Sequence, residues 1–388
     1  MQLSESVPVP VTLPDLVRFY PEADWVWIGV QLFTLAVPLV FLFSCAAARL
    51  RTTCDRVTGG RPIWTLVLFA CVYLSVAGVV SLPVGYLADL AFIRAWNGPT
   101  PTTVEWLGSQ AASLVRNLVL AVAIVWIPYL LLRRAPRVWW LLCVIAAAPL
   151  LAAALLTYQL LLTPLWTHYR PIQDPALAMK FEALAERCGV KNVPILVGGD
   201  DSTALGFPPF QRIVLADFTS RDLTAAEQTA AYAHELKHYL LDGWKGIGMA
   251  IALLAGGLWL IDILGRAAIH KFANRFGFSN LSDPASLPLV LFILTFSWLL
   301  VGLPVFNAVQ RHAELEADRF ALELTHENRG EALLQAHYSK YKLNEYYGFY
   351  RLWRANHPSQ AERVRLANTY HPWDSGGALV YGHVCRMP

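Results

Sequence analysis

The stretch LTAAEQTAAYAHELKHYLLDG, residues 223 to 243, decides how this chain is read. It opens with Thr224 and Glu227, the spacing at which a threonine and a glutamate cap each other's backbone N–H groups at a helix start. Gly243 stands where a helix would be expected to stop. On such a helix His234 and His238 lie one turn apart and direct their imidazoles to one point, as two nitrogen ligands of one zinc ion must. Glu235 is rotated about 100° from His234. It can then take a proton from a water at the metal without being a ligand itself, the general-base position of an HExxH hydrolase. The plainer alternative is two solvated or core histidines that share a helix face.

The surroundings of this stretch are those of a membrane protein. The chain has 388 residues, of which 56% are hydrophobic and only 15% charged, with a mean hydropathy of +0.42, which is too apolar for an ordinary soluble enzyme. Six apolar stretches are long enough to cross a bilayer, approximately 25–47, 63–88, 113–132, 138–163, 246–264 and 286–309. Trp25, Trp27, Trp64, Trp139 and Trp140 sit near their ends, as an interfacial aromatic belt requires. Glu22 and Asp24 precede the first stretch where a cleaved signal would carry basic residues, so it reads as a retained span. The net charge of +3 is small and the basic residues are not interleaved with aromatics, which excludes a nucleic-acid surface. The six cysteines show no CxxC pair and no framework spacing, and most read as small core residues.

The apolar stretches divide the chain into a four-span region at 1–163, a polar segment at 164–245 ending in the HELKH helix, a two-span hairpin at 246–309, and a second polar segment at 310–388. Within the first polar segment, DPALAMKFEALAERCG (174–189) predicts a helix capped by Asp174, started by Pro175 and stopped by Gly189. VPILVG (193–198) and QRIVLAD (211–217) read as two strands of a small hairpin. The fold class expected is mainly α: a polytopic α-helical membrane protein with a small α+β zinc-protease domain split by the last two spans.

A catalytic zinc needs a third protein ligand and an open position. RHAELEADRFALEL (311–324) supplies a candidate, because Glu314 and Asp318 share one helical face and let Glu314 ligate while Asp318 orients a ligand histidine. His312 is a weaker rival, and Glu316 falls on a different face. Asp89 and Asp262 lie inside apolar stretches and are expected to face a cavity or an interface.

HELKH, two spans, then ELEAD: this order resembles the M48 membrane zinc metalloproteases, specifically the Ste24 or CAAX prenyl protease branch. LLLTPLWTHYRPIQDPALAMKFEALAERCGV (160–190), STALGFPPFQRIVLAD (202–217), HPSQAERV (357–364) and the layout of 81–107 are similar to family segments, so the resemblance runs from about residue 25 to 368. It implies one zinc ion held by His234, His238 and Glu314, with Glu235 as base and Asp318 behind the ligands. It further implies His357 as the group that stabilises the tetrahedral intermediate, Arg363 as support for the site or substrate, and Thr203, Ala204, Leu205 and Gly206 as the strand on which an extended peptide lies. Seven spans in the eukaryotic proteins against six here would reflect loss of an N-terminal one. The chain departs from the family at Lys237 and Thr203, where glycine and asparagine are usual, and at Gly243, where a further histidine is common. Lys237 is expected either to extend its ammonium to solvent or to pair with Glu235 and weaken it.

The function expected is therefore an integral-membrane zinc endopeptidase, its partners a membrane-associated peptide or protein and the lipid bilayer. The eukaryotic relatives imply a prenylated C-terminal CAAX substrate, whereas the compact chain also suits a bacterial cytoplasmic-membrane enzyme that trims membrane proteins. The alternative is a catalytically weak zinc-binding scaffold. Two expectations about sidedness conflict. Arg49, Arg51, Arg56 and Arg61, then Arg133, Arg134 and Arg137, then Arg266, Lys271 and Arg275 fall in loops on one face, which by the positive-inside rule sets the polar segments outside the cytoplasm; the family resemblance implies a cytoplasm-facing site.

Overall fold

A computed structural model describes residues 6–95, 101–157, 167–206 and 210–388. The end of the fourth expected span, 158–163, and residues 207–209 of the expected strand pair lie outside them. The described chain forms two compact units. One comprises 18–148 and 251–302; the other joins the N-terminal residues to 149–250 and 303–388.

The first unit is helical. Its elements are most of α1 (Pro14–Phe43), then α2 (Ala46–Val57), α3 (Pro62–Ala95), α4 (Thr103–Ile124), α5 (Trp126–Arg134) and the first half of α6 (Trp139–Thr157), with most of α10 (Gly243–Phe276) and all of α11 (Leu287–Ser297). Among the described residues, five continuous helical runs are long and apolar enough to span a bilayer, at Pro14–Phe43, Pro62–Leu90, Thr103–Arg134, Ala225–Phe276 and Pro284–Thr325, and Trp139–Leu150 is a shorter apolar helix. The protein is a polytopic helical membrane protein. The first span ends at Phe43 rather than residue 47, because Cys45 turns to φ 58 and breaks the helix before α2. Leu42, Phe69, Tyr73, Trp139, Ile261 and Ile293 anchor this unit's core. The two carboxylates expected to need polar surroundings have them: Trp106 Nε1 donates to Asp89 at 2.7 Å, and Trp139 Nε1 donates to Asp262 at 2.6 Å. Inside a bilayer such a donor removes much of the penalty of a lone carboxylate.

The second unit contains a four-stranded sheet and the helices packed against it. Its strands are β1 (Arg170–Pro171), β2 (Ile195–Val197), β3 (Thr203–Leu205) and β4 (Arg212–Leu215), in the order β1-β2-β4-β3. The expected hairpin of 193–198 with 211–217 is not formed. β2 runs parallel to β4, and β4's antiparallel partner is β3, inserted between them in sequence. The intervening residues contain a strand of their own, so the two apolar runs come side by side through a crossover and not a turn.

Helices α7 (Pro175–Arg187), α8 (Asp217–Asp222), α9 (Ala225–Lys237), α12 (Leu303–Thr325), α13 (Asn328–Tyr338), α14 (Gly348–Trp353) and α15 (Gln360–Thr369) complete the unit. Asp174 caps α7 by accepting from the N–H groups of Ala176 and Leu177, as its sequence dictates. The Thr224–Glu227 capping box opens α9, but Gly243 does not close it. Its φ is −51°, and a π-helical turn at His238–Asp242 joins α9 directly to α10. The apolar residues that follow favour continued helix, and a glycine without a left-handed φ gives no stop. Phe181 of α7 stacks on Tyr232 of α9 with ring centres 4.2 Å apart, and both are fully buried with Ile213, Leu215, Leu236 and Phe320. This core fixes α9 between the sheet and α12.

Two tethers escaped the sequence reading. The N-terminal segment packs on the C-terminal half, with Val7 and Asn368 exchanging backbone and side-chain hydrogen bonds at 3.1 and 2.8 Å. Cys188, at the end of α7, forms a disulfide with Cys385, 197 residues away, where two core thiols were expected. No local spacing announces a pair so far apart.

Candidate metal centre

α9 brings His234 and Glu235 to the centre, the π-helical turn brings His238, and α12 brings Glu314. His234 Nε2 lies 3.2 Å from both His238 Nε2 and Glu314 Oε2, and His238 Nε2 lies 3.5 Å from Glu314 Oε1. The three ligand atoms are within 4.8 Å of one another, a grouping that no other His, Cys, Asp or Glu trio among the described residues offers. His312, the rival, lines the same cleft but stands outside the trio.

Each imidazole is held from behind. His234 Nδ1 meets Asp318 Oδ1 at 2.8 Å, and His238 Nδ1 meets Asp242 Oδ2 at 2.8 Å. A carboxylate accepts from an Nδ1–H, and that tautomer leaves the Nε2 lone pair pointing at the shared centre. Two such nitrogens and one carboxylate form the His2Glu donor set of catalytic zinc sites. The residues present therefore fit zinc.

Asp242, in contact with His238, is the neighbour of the trio that the sequence alone does not single out. Its one signal was an acidic group four residues beyond a ligand histidine. Lys237 also differs from both expectations. It is 2% exposed, and its Nζ donates to Asp242 Oδ2 at 2.5 Å and to the Ala313 carbonyl at 2.9 Å. It neither reaches solvent nor meets Glu235, because α12 closes over it and the π-helical turn brings Asp242 to its tip.

The trio opens into a cleft of about 610 Å³. Glu235 is 7% exposed, lines that cleft, and lies within hydrogen-bonding reach of the Ala204 backbone N–H on β3. Thr203, Ala204 and Gly206 line the cleft as well, whereas Leu205 does not. β3 is the last strand of the sheet. Gly206 has φ +88, and a Cβ there would come 2.6 Å from the Phe210 carbonyl, so only glycine closes this edge.

His357 reaches the cleft from the C-terminal side, with Nε2 at 3.7 Å from Glu314 Oε1. Desolvation pushes its imidazole pKa down, aided by the Arg363 charge and opposed by Glu314. Arg363 lies elsewhere than a substrate contact would. It is buried behind the ligands, and its Nε donates to Asp318 Oδ2 at 2.7 Å. Burial alone would lower the pKa of this guanidinium, but the charge and hydrogen bonds of Asp318 more than reverse that.

Comparison with known proteins agrees with this geometry. The sequence pattern of peptidase family M48 matches residues 171–370, which include all three candidate ligands. An uncharacterized metalloprotease of Bacillus subtilis, YhfN, is 27% identical over 320 residues, covering 78% of this chain and 73% of that one. CAAX prenyl protease 1 of Saccharomyces cerevisiae is 24% identical over 320 residues, covering 75% of this chain and 69% of its own. The crystal structure of S. mikatae Ste24p superimposes with a TM-score of 0.69 at 17% identity, over 94% of this chain and 92% of that one, a likeness of fold. With a family match over more than half its length, helices long and apolar enough to span a bilayer, and a His2Glu cluster within the matched residues, the chain belongs to peptidase family M48 and is a membrane metalloprotease.

Proposed function

We propose that the chain is a zinc-dependent endopeptidase, with one zinc per chain, that hydrolyses peptide bonds of membrane-associated proteins or of CAAX-like C-terminal peptides. The observation that carries this reading is that the His2Glu trio, Glu235 and the edge strand β3 share one cleft. His234, His238 and Glu314 would hold the ion. Zinc, when bound, makes water more acidic and polarises a carbonyl.

The remaining steps belong to the chain's own side chains. An extended substrate lies along β3 and adds to the sheet through main-chain hydrogen bonds. Glu235 takes a proton from the attacking water and passes it to the leaving amine. His357 donates a hydrogen bond to the developing oxyanion. Asp318 and Arg363 hold His234 in orientation. The names of the yeast and Arabidopsis thaliana relatives, CAAX prenyl proteases, support a C-terminal lipidated substrate.

The test is cleavage of a farnesylated CAAX peptide beside its unmodified counterpart by detergent-purified protein. Preference for the farnesylated peptide is expected; equal rates would remove the CAAX specificity. Cleavage of neither, with zinc bound, would return the zinc-binding scaffold in place of the protease. Lys237 gives the scaffold reading no support, since it is engaged with Asp242 and leaves Glu235 free of it.

We also infer that the metal-bearing polar segments lie outside the cytoplasm. The Cys188–Cys385 disulfide supports this, because structural disulfides persist in oxidising compartments. The Arg-rich loops on the opposite face support it independently. A Glu182→Cys variant lacking the free thiols Cys45, Cys54, Cys71 and Cys143 carries an exposed thiol on α7. A membrane-impermeant maleimide is expected to label it in intact cells. Labelling only after the membrane is opened would reverse the assignment.

A further inference from the structure

We propose that Lys237 and Asp242 form a buried positioning pair that sets the orientation of the ligand His238 and ties its helix to the one that bears Glu314. The inference rests on the zinc reading above and extends it to two residues outside the expected ligand and base set.

The geometry has three parts. Asp242 Oδ2 receives two groups at once, His238 Nδ1 at 2.8 Å and Lys237 Nζ at 2.5 Å. The same ammonium donates to the Ala313 carbonyl at 2.9 Å, and Ala313 immediately precedes Glu314 on α12. Asp242 Oδ1, the other oxygen, takes the exposed Lys245 at 3.2 Å. His238 thus has the same support on Asp242 that His234 has on Asp318, with Lys237 in the position toward Asp242 that Arg363 occupies toward Asp318.

The backbone explains how the pair comes together. Lys237 and Asp242 are five positions apart, and a regular α-helix would rotate residues so spaced by about 500°, well off one face. The π-helical turn at His238–Asp242 takes up an extra residue and brings them into register. A wider turn inside a metal-bearing helix is the kind of local irregularity that marks functional positions.

The energetics require both members. Lys237 is buried, so without Asp242 it would be an uncompensated charge inside the protein. Asp242 without Lys237 would keep the exposed Lys245, yet would lose the link to α12. Gly243 needs no left-handed φ, so the turn is specified by this pair and by the helix that follows rather than by a glycine stop.

The experiment measures zinc affinity of metal-stripped protein by competition with a chromophoric chelator, together with the ligand-field spectrum of cobalt bound in place of zinc. Asp242→Ala is expected to weaken zinc binding about 10–100-fold, the usual consequence of removing an outer carboxylate, and to shift the cobalt bands. Asp242→Asn, which retains an oxygen acceptor, is expected to recover part of that loss. Lys237→Met is expected to weaken binding less than Asp242→Ala, and the double variant Lys237→Met/Asp242→Ala to do so by less than the product of the single effects. Should Asp242→Ala not survive purification, Asp242→Leu, close in volume and without an acceptor, gives the same reading.

Zinc affinity within about twofold of wild type with an unchanged cobalt spectrum in Asp242→Ala or Asp242→Leu would overturn the proposal, as would fully multiplicative effects in the double variant. Wild-type protein that takes up no zinc would overturn the metal reading and this proposal with it. Wild-type protein that binds zinc without cleaving any peptide would remove the protease reading alone, because the affinities and spectra need no turnover.

Discussion

Glu235→Gln is expected to lower kcat/KM for peptide hydrolysis by about 10²–10⁴-fold, the range general-base groups supply, while zinc content stays at the wild-type level. The separation follows from geometry. Glu235 is outside the His234, His238, Glu314 trio, so its loss removes no ligand. Glutamine has nearly the same shape and retains an oxygen within reach of the Ala204 N–H. Only the capacity to accept a proton disappears. Parallel assays of cleavage, zinc content and melting temperature check the claim. A variant that hydrolyses within a few-fold of wild type would mean that another group acts as base. A variant that loses its zinc as well would mean that Glu235 supports the site structurally.

Arg363→Met is expected to destabilise the protein by about 3–5 kcal/mol and to weaken zinc binding, because it leaves the Asp318 carboxylate, 1% exposed, without its cation. Asp318 would retain only His234 as a partner. The imidazole would then be drawn toward the protonated form that cannot ligate a metal. Arg363→Lys is expected to recover charge without recovering the two-pronged contact of guanidinium with both carboxylate oxygens, and so to remain intermediate. Thermal unfolding in detergent, with and without added zinc, measures both effects. Unchanged stability in Arg363→Met would show that solvent reaches Asp318 and that the pair is not sealed.

The parts of this molecule legible in its sequence are those fixed by neighbours a few residues apart. The Thr224–Glu227 box, the Asp174 cap and the i, i+4 spacings of His234 with His238 and Glu314 with Asp318 are local, and the structure contains each. Elements that depend on distant partners were misread or unseen. The apolar run at 195–197 reads as half of a hairpin until β3 takes the antiparallel place beside β4. Gly243 reads as a stop until the following apolar helix overrides it. Lys237 reads as a solvent-facing or base-quenching cation, because the π-helical turn that carries Asp242 to it has no sequence signature. The Cys188–Cys385 bond spans 197 residues, beyond any spacing rule. Arg363 was visible as a family position, yet its burial behind Asp318 depends on how α15 packs against α12 and α13.

Zinc titration of chelator-stripped wild-type protein, read as hydrolysis of an unstructured peptide, tests the central claim most directly. The stripped protein is expected to be inactive, with activity rising as zinc is added and levelling at one zinc per chain. Hydrolysis at the full rate by stripped protein, before any zinc is added, would contradict the account.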